Sequence, residues 1–125
     1  MNIENINNKA KLLIEETYKD SAKWHQNFNE AKQLLESALA QESNNETSLI
    51  NYATILCDIG NHQEATEFFK KAINQGSENK HAFYNLGVAL INCSSHENAM
   101  IYMQKAKSKK AGTLTWQAYF DPMGH

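Results

Sequence analysis

The sequence predicts an all-α fold, a solenoid of stacked helical hairpins, and three observations predict it. Pro122 is the one proline and there are five glycines among 125 residues, so few positions interrupt a helix. Ala, Leu, Lys, Glu and Gln recur through the middle of the chain, and these side chains lose little freedom in a helix. Matched against itself, the sequence gives its strongest signal at a period of about 34 residues, the mark of units that stack in a row and bury their apolar faces on one another.

The second helix of each unit carries the clearest part of the period. Ala31, Ala65 and Ala99 are evenly spaced at that period, as are Ala38, Ala72 and Ala106, with Leu35, Phe69 and Met103 between them. A small residue, a large one four later and a small one three after that share one helical face, where a neighbouring helix approaches closely and interlocks. The first helices supply the opposing ridge through Tyr52, Ala53 and Leu56, then Leu86, Gly87 and Leu90. Capping boxes are expected at Asn27-x-x-Glu30, Asn61-x-x-Glu64 and Ser94-x-x-Glu97. Gly60 and Gly76 follow helices in the middle unit, where a residue without a Cβ adopts the left-handed turn most cheaply.

This pattern resembles the tetratricopeptide repeat, with large, large, small and large residues on its first helix and small, aromatic and small ones on its second. Leu49, Tyr52, Ala53, Leu56, Gly60, Ala65, Phe69 and Ala72 carry it in residues 46–79. Phe83, Leu86, Gly87, Leu90, Ala99 and Ala106 carry it in 80–111. The span 12–45 keeps Tyr18, Phe28, Ala31, Leu35 and Ala38, but Glu15 and Lys19 break its first half, so that helix is expected to be shifted or longer, beginning near Ile3. The resemblance implies one domain over 1–125, three repeats in a right-handed superhelix, and a C-terminal cap over 112–125. In that cap Trp116, Tyr119 and Phe120 have helical spacing, so a short helical turn would lay three rings on the last repeat; the alternative is an interface for a partner or a second copy. Lys105, Lys107, Lys109 and Lys110 are expected in the last turns of the preceding helix, where they suit its exposed carbonyls.

The resemblance also implies a function. First helices of such repeats line a concave groove that holds a protein partner, and the family's inward positions fall here on Glu16, Thr17, Asp20 and Lys23, then Thr47, Ile50, Asn51, Thr54 and Asp58, then His81, Tyr84, Asn85, Val88 and Asn92. Asn51 and Asn85 are separated by one full period. A side-chain amide both donates and accepts, so a ladder of amides can satisfy a peptide backbone without reading its side chains. The pattern of basic residues by which some members grip the carboxylate of chaperone tails is not shown here; where that clamp needs cations stand Glu16, Asp20 and His81, which favours a basic or neutral ligand. An adaptor, a small chaperone, an immunity protein and an accessory subunit all fit, with a self-associating structural protein, a homodimer, as the alternative.

Other functions have little support. All twelve basic side chains are Lys, which argues against nucleic acid because the planar fork of Arg is missing, and the formal charge is only −2. No Gly-rich phosphate loop or nucleophile elbow occurs, and His62-Gln63-Glu64 and His96-Glu97 lack the second histidine that would close a zinc site, so neither an enzyme nor a metal or other cofactor is expected. Cys57 is a nucleophile only if it projects into the groove, and inside an apolar run it reads as a buried, inert thiol. Two isolated cysteines, a polar N-terminus and the lack of a long apolar run lead to the expectation of a cytoplasmic protein that does not enter a membrane.

Overall fold

The computed structural model describes residues 1–118. Among these residues six α-helices run in order: α1 (Ile3–Lys19), α2 (Trp24–Gln41), α3 (Glu46–Asp58), α4 (His62–Asn74), α5 (Lys80–Cys93) and α6 (His96–Ala106). A 3₁₀ turn, Ser21–Lys23, joins α1 to α2. Each odd helix packs on the even helix that follows, and α2 against α3 and α4 against α5 join the hairpins into one stack. Among the described residues there is no β-sheet; a single isolated bridge pairs Asn79 with Lys110.

The periodic apolar positions are the core. Ala31, Leu35, Ala38, Ala65, Phe69, Ala72 and Ala99 are wholly buried, and Met103 and Ala106 nearly so. Gly87 shows why the ridge on α5 needs a residue without a Cβ: an added Cβ would lie 2.5 Å from Met103 Cγ and 3.1 Å from the Ala99 carbonyl. Gly60 and Gly76 have φ of 98° and 100°. Behind them Asn61 N–H donates to Leu56 O and Ser77 N–H to Ala72 O, the six-to-one bond that closes a helix end.

The helix starts differ from expectation. Side chains cap α1, α3, α5 and α6, through Asn2, Asn45, Asn79 and Ser95. Asn27 is not a cap: α2 begins earlier, and the buried Asn27 amide reaches back to donate to Leu13 O and Glu16 Oε1, both at 2.9 Å. Asn61 stands at the start of α4 without a side-chain cap bond, because the Gly60 turn holds its ψ at 61° rather than the extended values of 118° to 162° at the four bonded caps. Ser94 ends α5, with its N–H on Leu90 O, which moves the capping role to Ser95.

Helix α1 starts at Ile3 and buries Ile6, Asn7, Ala10, Ile14 and Thr17. Its packing stripe therefore lies toward the N-terminus of the repeat register, which explains why Tyr18 and Lys19 are exposed. At the other end α6 stops at Ala106, so Lys107, Lys109 and Lys110 belong to the following turn and only Lys105 to the last helical turn. Lys109 reaches Glu78 and lies 4.9 Å from the centre of the Phe83 ring.

Candidate functional site

The helices α1, α3 and α5 bring one polar line inside the stack. Asn7 Nδ2 donates to Ser48 Oγ at 2.9 Å, and Asn51 Nδ2 donates to Asn7 Oδ1 at 2.9 Å. Asn85 Nδ2 donates to Thr54 Oγ1 at 3.0 Å. Asn51, Thr54 and Asn85 have no exposed surface at all. An amide withdrawn from water at such sites is costly unless its hydrogen bonds are replaced. Here the C-terminal segment of the same chain supplies an acceptor to each of the Asn51 and Asn85 amides and a donor to Asn85.

After α6 the chain turns back across the first helices. Lys80 N–H donates to Lys110 O at 2.9 Å, and Gly112 N–H donates to Asn79 Oδ1 at 3.2 Å. Asn51 Nδ2 then donates to Leu114 O, and Asn85 Nδ2 to Trp116 O, both at 2.9 Å. Ala118 N–H returns a bond of 2.9 Å to Asn85 Oδ1, so one amide grips the segment at two points. Residues two apart meeting the same wall is the spacing of an extended chain. Thr115 Oγ1 lies 2.6 Å from His81 Nδ1 and 3.1 Å from Asn79 Nδ2, while Lys11 Nζ donates to Thr113 O at 2.6 Å. Thr115, Trp116 and Ala118 are buried.

The expected helical cap is therefore absent from the described residues: 111–118 contains no helix, and Trp116 is buried with its carbonyl on Asn85 of α5, in the last repeat. A non-helical course is favoured because the wall offers donors to the carbonyls of Thr113, Leu114 and Trp116, and the Asn51 and Asn85 amides covered by the segment gain acceptors there. Tyr119 and Phe120 lie outside the described residues.

The other expected groove residues divide. Asn51, Thr54, His81 and Asn85 share the polar line or meet the segment, whereas Glu16 and Asp20 do neither. Glu16 accepts from Asn27 and pairs with Lys23, contacts that hold its carboxyl below the ordinary range, and Asp20 caps the 3₁₀ turn through Ala22 N–H. Their carry-over assumed that α1 keeps the register of α3, which its longer helix does not. Asn92 donates to Val88 O of its own helix and stands at its outer end; Asp58 and Tyr84 are half-buried. Sequence reasoning missed Asn7, Lys11 and Asn79. Asn45 and Asn79 are also one period apart, the one signal that could have marked Asn79.

His81 is held below its ordinary value chiefly by burial, with Lys11 and Lys80 adding to the effect. Cys57 is buried with its sulfur 3.5 Å from His62 Nδ1, while His81 Nδ1 lies 2.6 Å from Thr115 Oγ1. Among the described residues no three His, Cys, Asp or Glu side chains gather as a metal site, and no helix is long and apolar enough to cross a membrane.

Two tetratricopeptide repeat family models match the chain, one over residues 25–86 and one over 81–108. This chain is a tetratricopeptide repeat protein. The matches begin after α1, the helix whose packing stripe departs from the repeat register, and end just past α6. No curated protein matches the chain. Tetratricopeptide repeats are in general protein interaction modules and typically not enzymes.

Proposed function

We propose that the protein binds a segment of a protein partner along the wall made by α1, α3 and α5. The observation that carries this reading is the grip of Asn51 and Asn85 on the main chain of a non-helical segment, at Leu114, Trp116 and Ala118. Those bonds use groups that every polypeptide has, so the wall suits a protein ligand in extended form. A small chaperone, an immunity protein and an accessory subunit each work by such binding, and the partner's identity decides among them. Self-association through the C-terminal aromatics is less favoured, because Trp116 is covered by its own chain.

The test is site-specific photo-crosslinking. A photoreactive residue at Tyr84, half-buried on α5, is compared with one at Lys70, exposed on α4. A protein trapped from position 84 and not from position 70 supports the reading. Equal trapping from both sites, or none from 84, overturns it.

A further inference from the structure

We infer that residues 112–118 are a displaceable internal occupant of the groove, and that the partner segment replacing them is uncharged and extended, with a hydroxyl residue, then an aromatic lacking an N–H, then a small residue two positions on. The inference rests on the groove reading above and names what the groove selects. Its first support is the occupant itself. Gly112-Thr113-Leu114-Thr115-Trp116-Gln117-Ala118 carries no charge, and it meets the wall through carbonyls and the N–H groups of Gly112 and Ala118, which any chain of the same register would offer.

The second support is that the fit is incomplete. Among the described residues two buried polar atoms have no partner, Asn51 Oδ1 and Trp116 Nε1, and both belong to the contact between segment and wall. The repeat shows what is missing at the first of them: Asn85 holds the Trp116 carbonyl and the N–H two residues later, whereas Asn51 holds the Leu114 carbonyl alone. A segment seated to bring its N–H onto Asn51 Oδ1 gains that bond, and Phe in place of Trp removes the unsatisfied indole N–H. Leaving one buried polar group unpaired costs about 1–3 kcal/mol, enough for another chain to compete.

Side-chain selection lies at Thr115 and its neighbours. Its hydroxyl is 2.6 Å from His81 Nδ1 and 3.1 Å from Asn79 Nδ2, and it is only 2% exposed, so an apolar residue there would strand both groups. Ala118 is 4% exposed, which leaves no room for a long side chain at that position without movement of the wall. A tethered occupant acts at high effective concentration, so the groove of the intact protein presents itself to an outside segment only in the fraction of molecules whose own segment has left.

The experiment uses the full chain and a fluorescein-labelled peptide, Gly-Thr-Leu-Thr-Phe-Gln-Ala, read by anisotropy. The Trp116→Ala chain is expected to bind at least about tenfold more tightly than the unaltered chain, because its own segment competes less well. Adding Asn85→Ala should abolish binding, and Lys in place of the peptide's second Thr should weaken it at least about tenfold. Equal binding by the unaltered and Trp116→Ala chains overturns the inference, as does no binding by a Trp116→Ala chain of native helicity. Should that variant lose helicity, amide exchange on the unaltered chain decides: Ala118 N–H exchanging well before the amides of α3 and α5 supports displacement, and exchange of all together overturns it. A partner trapped at position 84 despite failed peptide competition would leave the groove reading standing and remove this inference alone.

Discussion

Two seams hold the molecule together, and they are built in opposite ways. The seam between paired helices is apolar: Leu35, Phe69 and Met103 interlock among alanines and are removed from water. The seam between the first helices and the C-terminal segment is polar: Asn51, Asn79 and Asn85 meet its main-chain groups, while Asn7, itself bonded to Ser48, holds the Asn51 amide and Thr54 holds that of Asn85. Apolar burial is non-directional and tolerates small shifts, whereas amide contacts hold only at one distance and angle. The first seam therefore sets whether the protein folds, and the second sets what lies on its inner wall.

The largest effect should come from the apolar seam. Phe69→Ala removes a fully buried ring from the middle repeat and is expected to lower stability by about 4 kcal/mol, measured by urea unfolding, with both seams lost in one transition. Asn85→Ala should separate the seams. On a Trp24→Phe background, its helical circular dichroism is expected to persist while the emission of Trp116 shifts to longer wavelength, at a cost of about 2 kcal/mol for the lost bonds. A loss of helix equal to that of Phe69→Ala would show the two seams to be one.

Gly112→Ala sharpens the distinction at smaller scale. Its Cβ would lie 2.5 Å from Asn79 Nδ2 and 3.0 Å from Thr115 Oγ1, so the segment's first anchor should loosen by about 1 kcal/mol, seen as faster exchange of the Ala118 amide with α3 and α5 unchanged. The smallest effect concerns pH. Burial, with Lys11 and Lys80 beside it, depresses His81 below its ordinary 6.5, so the neutral ring suits the closed form. Its contribution is whole above about pH 6.5 and is lost as pH falls from there through the depressed value. Ala118 exchange, corrected for its intrinsic pH dependence, should show the segment opening more as pH drops below about 6.5, and His81→Gln should flatten that response.

The apolar seam was legible in the sequence because packing repeats: Ala31, Ala65 and Ala99 recur wherever a helix must approach closely. The spacing of Asn51 and Asn85 by one period was legible in the same way. Glu16 and Asp20 do not meet the segment, for α1 is extended toward the N-terminus and packs through Ile6, Ala10 and Ile14, so the ruler set by the later repeats slips on the first helix. The caps were misread because Asn61 and Ser94 also end the preceding helices, and one residue's backbone cannot serve both geometries. The path of residues 112–118 was hidden for a different reason. Trp116, Tyr119 and Phe120 have helical spacing, and only the unsatisfied amides of distant helices make a non-helical course preferable.

Asn51 and Asn85 stand one whole repeat apart in the chain yet hold carbonyls two residues apart in the segment. One repeat of the solenoid thus corresponds to one full side-chain alternation of the bound strand. A strand that slides by two residues presents the same carbonyls to the same amides, so the wall by itself is a scale with evenly spaced marks and no zero. A slide of one residue turns every side chain to the opposite face. The hydroxyl of Thr115 between His81 and Asn79, with the small Ala118 beyond it, supplies the zero from which the chain's own segment is counted.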